Sequence, residues 1–217
     1  MADTVADNVA DTVADTAAAA DTLADTVGPS VVLASSSPRR RELLGRLGVA
    51  ITVVSPDVDE SERPGEAPPD YVRRVAIDKV TAVPAGPADL VVAADTTVDV
   101  DGMILAKPAD LDDARRMLGL LSGRTHAVHT GVAVRRAGLV TAEVCTTLVT
   151  FVTLDDATIE WYLRRDDVAD KAGAYALQEA GGALVERIEG SVSNVVGLPL
   201  TTVVTLARAC GVELLVR

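Results

Sequence analysis

Between Ser30 and the C-terminus the spacing of apolar residues changes period several times, and each change marks an element. SVVLA and AITVV are short apolar runs that read as strands, and RRRELLGRLG between them has the spacing of a helix. In PPDYVRRVAIDKVTAV, Tyr71, Val72, Val75, Ala76 and Val80 fall on one face of a predicted helix. DLVVAADTTVDVDGMIL opens as a buried strand expected to end at Asp95, then enters a polar turn and a hairpin signal at Asp101–Gly102. ADLDDARRMLGLLSG predicts a helix, and HAVHTGVAVRRAGLVTAEVCTTLVTFVTL predicts two long alternating strands around a turn near Ala137–Gly138. LDDATIEWYLRR is a further amphipathic helix, AGGALVERIEGS a strand, and GLPLTTVVTLARACGV a closing helix. Strands and helices mixed in this order predict an α/β fold with a partly antiparallel sheet.

The N-terminal segment is different in kind. Through Val27 it repeats a four-residue unit, ADTV and its variants, without a basic or aromatic residue. Asp3, Asp7, Asp11 and Asp15 recur every four positions, so a helix there would align like charges on one face and lose stability. We read residues 1–29 as a disordered or transiently helical acidic extension and residues 30–217 as one folded domain. The six aspartates of the extension carry half of the formal charge of -12.

That charge excludes non-specific duplex binding, which needs a positive stripe, and the 2% aromatic content argues against a base-stacking surface for single strands. Neither excludes a small polyanion in a local basic pocket, because the field in a cleft depends on its lining. Cys145 and Cys210 form no CxxC and read as buried thiols of a reducing compartment. No apolar run reaches the roughly 18 residues of a membrane span, and no secretory pattern is present. A cytoplasmic protein without nucleic-acid or membrane partners is expected.

The candidate chemistry lies in separate segments. In ASSSPRRRELL, Ser37 suits a helix N-cap and Pro38 the first helical position, which is the plain structural reading. Arg39, Arg40 and Arg41 oppose the helix dipole at that end, so the alternative is an oxyanion bound at the helix N-terminus. Asp95, at the expected strand end, is either a turn residue or an acid that holds a hard cation or activates water. Lys107 precedes a proline and lies in extended backbone within reach of a phosphate. The loop acids Asp59 and Glu60 are candidates to complete a metal site with Asp95, and Asp99 and Asp101 are expected on a solvated hairpin tip. His126 and His129 should point to opposite faces of one strand and therefore not share a metal. VADKAGAYALQEAGGALVERIEGSVSNVVGLPL adds glycines at 173, 181, 182, 190 and 197 among Asp170, Lys171, Tyr175, Gln178 and Ser193.

Taken in order, ASSSPRRRELL, AADTTV, the KP of ILAKPAD, LSGRTHAVHTGVAV, DKAGAYALQ and GSVSNVVGLPL resemble the Maf family of nucleoside triphosphate pyrophosphatases, over about residues 31–210. The resemblance implies an inosine triphosphate pyrophosphatase-like fold, an elongated mixed β-sheet flanked by helices with a cleft between two lobes. It also implies a divalent cation (Mg2+ or Mn2+), hydrolysis between the α and β phosphates, and a homodimer. SPRR, ADT and DKAGAY–x–x–Q are similar to the branch acting on dTTP and UTP. By the same matching Asp95 falls at the proton acceptor, and Arg39, Thr96 and Gln178 at the positions that set substrate choice. The expected division of labour gives the triphosphate to Ser35, Arg39, Arg40, Lys79 and Lys107, the metal to Glu60 and Asp95, and the base to Thr96 and Gln178. Glu179 and Val192 depart from the family, which often has glycine and an aromatic there. The competing readings are a nucleotide-binding regulator of division or septation without required turnover, and a hydrolase of modified pyrimidine nucleotides.

Overall fold

The computed structural model describes residues 30–215, so the acidic extension lies outside the described residues. Strand β1 (Val31–Ala34) runs into helix α1 (Pro38–Gly45), and strand β2 (Ile51–Val54) and helix α2 (Pro68–Ala82) follow. Strands β3 (Leu90–Val100) and β4 (Met103–Leu105) form the hairpin, with Asp101 and Gly102 both at positive φ in its tip. Helix α3 (Leu111–Leu121), strands β5 (Thr125–Arg136) and β6 (Leu139–Phe151), helix α4 (Asp156–Leu163) and strand β7 (Val185–Glu189) complete the second half. The chain closes with a short helix α5 (Val192–Val196) and helix α6 (Leu200–Ala209).

All seven strands join one mixed sheet of order β2-β1-β3-β5-β6-β7, with β4 added beside β3. The β1 contacts with β2 and β3 are parallel and the other pairings antiparallel. Two bodies of core pack on it. Around β1 and the first half of β3, Leu33, Leu43, Leu90, Val203 and Leu206 bury one face under α1 and α6, while Ala76, Val80, Val91 and Ala93 bury the other under α2. A separate core around the second half of β3 joins Val98, Leu118, Phe151, Tyr162 and Leu184. The stripe Tyr71, Val72, Val75, Ala76 and Val80 is buried as its spacing predicts.

Strand β3 does not end at Asp95. It runs to Val100 because β5 pairs with it without interruption from Val91 to Asp99, and because Val98 and Val100 are buried on the far side of the polar AspThrThr segment. Its other edge changes partner. Leu90–Val92 pair with β1 and Val98–Val100 with β4, so Ala93–Thr97 have a strand on one side only. The gap between β1 and β4 separates the two cores.

Other expectations also needed adjustment. Asp99 is not on the hairpin tip; it lies in β3, with His129 Nε2 3.3 Å from its carboxylate. Helix α5 was not anticipated, and it forms where Ser191 accepts from the Asn194 N–H at 3.2 Å. Both cysteines are free thiols and half-buried rather than buried. His126 and His129 do face opposite ways: His126 Nε2 meets the Tyr175 hydroxyl at 2.9 Å, and His129 meets Asp99 and Thr146. No described helix is long and apolar enough to cross a membrane.

Gly131 controls how α2 sits. It is the β5 partner of Asp95, and a Cβ there would come within 2.2 Å of the Val72 carbonyl oxygen. Gly131→Ala is therefore expected to destabilise by about 3 kcal/mol through overpacking against backbone. Gly119→Ala, on an exposed face of α3 with nothing within 4 Å, should stabilise by about 0.5–1 kcal/mol; urea denaturation of both variants checks the pair.

Burial pushes the His126 imidazole down to about 4. The unfolded chain then takes up a proton near pH 6.5 that the folded chain refuses, so stability is complete above that pH and declines as pH falls toward 4. The slope in that window is about 1.4 kcal/mol per pH unit. Denaturation midpoints from pH 7 to 4 should show it, and His126→Gln should flatten it.

Candidate active site

The site is built on the open edge of β3. There the strand alternation sends Asp95 toward α2 and Thr96 toward α1 and α6, and at an unpaired edge both still border the gap. The cleft has a volume of about 450 Å³, within the range of roughly 300–1,000 Å³ usual for small-molecule sites. Ser35–Arg40, Glu60, Lys79, Asp95, Thr96, Lys107 and Gln178 all line it, whereas the other loop acid, Asp59, does not: its carboxylate accepts from the Ser61 N–H and hydroxyl.

On the α2 side, Lys79 lies between two acids. Its Nζ donates to Asp95 Oδ1 at 2.7 Å and is 3.0 Å from Glu60 Oε1. Lys79 and Asp95 are buried, at 5% and 6% exposure, while Glu60 is open to the cleft. Sequence reasoning placed Lys79 on a helix but not its partners, because Glu60 arrives on a loop. That loop is held by Tyr71, whose hydroxyl donates to the Glu60 carbonyl at 2.9 Å. Burial, then the charges of Asp95 and Glu60, push the Tyr71 phenol up, so it stays a neutral donor.

On the other side Arg40 is fixed by three elements. Its Nε donates to the Gly197 carbonyl at 2.9 Å, Nη2 to Thr96 Oγ1 at 3.0 Å and Nη1 to Ser35 Oγ at 3.4 Å. Thr96 Oγ1 also meets Thr130 Oγ1 at 2.9 Å. Desolvation lowers the Arg40 guanidinium from its ordinary value, while Asp95 and Glu60 act to raise it. Ser37 caps α1 as expected, accepting from the Arg40 N–H, and Ser35 Oγ accepts from the Ser37 N–H at 3.2 Å. The capping and anion readings of SSSPRR are thus compatible: the serines order the turn, and the arginine side chains enter the cleft.

Arg39 crosses the opening. It donates to the Asp170 carboxylate at 3.1 Å and to the Asp170 carbonyl at 3.3 Å, joining α1 to the segment that packs with the second core. Asp170 and Lys171 were noted in the sequence as polar groups but not as site residues, and both line the cleft. The signal available was their place in DKAGAYALQ. Lys107 and Gln178 also line the cleft, and both are exposed at its rim. The Gly173 N–H donates to the Ala106 carbonyl at 3.2 Å, joining the segments that carry these two residues.

The lining carries five cationic side chains (Arg39, Arg40, Lys79, Lys107 and Lys171) against three carboxylates (Glu60, Asp95 and Asp170). An anionic ligand is favoured, yet an excess of two positive charges does not neutralise a triphosphate. The donor set fits a hard divalent cation. Asp95 and Glu60 already converge on one positive charge, and no group of three acidic, His or Cys side chains exists among the described residues to cage a metal by itself. Mg2+ suits that arrangement, since it is bound through one or two carboxylates with water and substrate phosphates supplying the rest.

Fold and cleft together define an α/β protein with a cleft of net positive lining opened in the middle of a mixed sheet. The chain belongs to the family described as Maf-like protein, whose profile matches residues 30–210. It is 53% identical over 192 residues to the dTTP/UTP pyrophosphatase of Anaeromyxobacter dehalogenans strain 2CP-1, covering 87% of this chain and 97% of that one. The dTTP/UTP pyrophosphatase of Hahella chejuensis is 48% identical over 193 residues, covering 85% and 94%. Among solved structures, the Staphylococcus aureus Ham1 protein aligns with 56% of this chain and 71% of its own, at 16% identity and a TM-score of 0.41.

Lys79→Met should cost about 3 kcal/mol in stability, because it leaves the buried Asp95 carboxylate uncompensated. Lys107→Met, on the exposed rim, should stay within about 0.5 kcal/mol. Chemical denaturation of the two variants at pH 7 measures the difference.

Proposed function

We propose that this protein is a nucleoside triphosphate pyrophosphatase that converts dTTP and UTP to the monophosphate and pyrophosphate. The observation that carries the reading is the convergence of Arg39, Arg40, Lys79 and Lys107 with Asp95 and Glu60 on one cleft. Relatives at 53% and 48% identity bear that activity in their names, which supports the same substrates here.

In this reading the triphosphate lies along the Ser35–Arg40 turn, with Arg40 held rigid by Ser35, Thr96 and Gly197 and Lys107 closing from the rim. A divalent cation, when bound at Asp95 and Glu60, supplies charge neutralisation at the phosphates. Asp95 accepts the proton of a water whose oxygen forms the new bond to the α-phosphorus. The bond from that phosphorus to the bridging oxygen breaks, and pyrophosphate leaves with the electron pair. Lys79, donating to Asp95 Oδ1 at 2.7 Å, holds that carboxylate in place for this role. As in other phosphoryl transfers, the protein contributes position and charge rather than covalent chemistry.

Gln178 reads the base edge from the rim. Thr96 acts beside it, and its hydroxyl, already engaged by Arg40 and Thr130, also fixes the arginine. dTTP and UTP share a Watson–Crick edge and differ by a methyl on the base and by the 2′-hydroxyl of the sugar, and polar base contacts discriminate hydrogen-bonding pattern far better than a methyl. At the base, acceptance of both follows.

A nucleotide panel with Mg2+ or Mn2+, assayed for pyrophosphate and monophosphate, tests the assignment. Turnover of dTTP and UTP is expected, with Asp95→Asn slower by about 100-fold or more. Full turnover by Asp95→Asn would remove its role as proton acceptor, and absence of pyrophosphate from either nucleotide would end the reading. Deletion of residues 1–27 is expected to leave turnover unchanged in the same assay.

A further inference from the structure

Gln178 stands on a turn closed by the Glu179 N–H, which donates to the Ala176 carbonyl at 3.3 Å. Glu179 does not line the cleft. Its carboxylate points back to Lys171, with Oε2 3.6 Å from Nζ. Lys171 is buried, at 5% exposure, and its other donors go to the Asp167 carbonyl and to Asp170 Oδ1, the latter at 3.2 Å. Two of the three N–H groups of this ammonium are thus used within its own segment, and the Glu179 carboxylate is its remaining charged neighbour. Asp170 in turn takes Arg39 at 3.1 Å. Four side chains of alternating charge, Arg39, Asp170, Lys171 and Glu179, thus run from the first turn of α1 to the turn that carries Gln178.

We propose that Glu179 is a positioning residue for base selection, acting through Lys171 to hold Gln178 in register with Arg39. The inference rests on the pyrophosphatase reading and adds to it a residue that touches no substrate. Glu179 is half-exposed, so its pair with Lys171 contributes little to global stability. Its contribution is geometric: it ties the Gln178 turn to a buried cation that the rest of the segment already fixes. A ligand phosphate drawing on Arg39 loosens its hold on Asp170, and the same chain passes that change to the turn.

Lys171 is part of the packed segment, so the test uses Glu179. Glu179→Gln keeps size and removes charge. The ratio of kcat/KM for dTTP over dCTP is expected to fall by about fivefold, the size of a lost ion pair of moderate strength. The loss should appear in KM for dTTP, with kcat within about twofold and the melting temperature within about 2 °C. Glu179→Asp should retain most of the preference. An unchanged ratio, or equal losses for both nucleotides, overturns the inference. In the cycle of Glu179→Gln with Asp170→Asn, effects on the ratio should be less than additive. Strict additivity would show that the two ends act separately and would refute the chain.

Calorimetric binding of the α,β-methylene analogues of dTTP and dCTP reads the same preference without turnover. A wild type that binds these analogues selectively but releases no pyrophosphate fails the catalytic reading alone. If it binds neither, the positioning inference falls with it.

Discussion

Strand β3 belongs to both halves of the molecule, and a strand can serve two neighbours on one edge only by leaving a gap between them. That edge pairs with β1 over Leu90–Val92 and with β4 over Val98–Val100. Between them the backbone of Ala93–Thr97 is held by β5 alone, and the side chains of Asp95 and Thr96 border the cleft from opposite faces of the sheet. Hydrophobic cores bury the strand on either side of the gap. The polar Asp95 and Thr96 can interrupt a buried strand there because protein groups satisfy them, Lys79 for the carboxylate and Arg40 and Thr130 for the hydroxyl.

The charges then sort by burial. Lys79 and Asp95 are taken out of water as a pair, with Glu60 at the wetter end, which leaves no uncompensated buried charge. Close packing of α2 on Gly131 sets that pair in place, since the absence of a side chain lets the helix backbone approach the strand. Arg40, on the opposite face, is satisfied by a carbonyl and two hydroxyls, so its positive charge remains without a carboxylate partner of its own. Arg39 is the reverse case: its charge is matched across the cleft by Asp170. Of the five cations of the site, Lys79 is thus paired within the wall, Arg40 is presented and Arg39 bridges the opening. Each placement follows from the neighbours each tether supplies.

Much of this was legible in the sequence. The strand and helix segments, the buried stripe of α2, the Ser37 cap and the opposed directions of His126 and His129 follow from periodicity and capping chemistry, which are local. The order of motifs placed Ser35, Arg39, Arg40, Asp95, Thr96, Lys107 and Gln178 in one family pattern, and all of them line the cleft together with Lys79. The end of β3 was misplaced for an equally local reason. AspThrThr after a hydrophobic run has the look of a turn, and nothing nearby in the chain reveals that β5 carries the ladder onward. Asp99 was assigned to the tip for the same cause.

What the chain determined by itself is the set of elements, the residue types that favour a polyanion, and the spacing that delivers them to strand ends, loops and helix termini. Which charge faces which was decided only by the tertiary structure. Lys79 could not be seen to neutralise Asp95 and Glu60, nor Asp170 to bridge Arg39 and Lys171, until segments 16, 19 and 131 residues apart were brought within hydrogen-bond reach. Electrostatic roles depend on distance and local dielectric, and neither is a property of sequence separation.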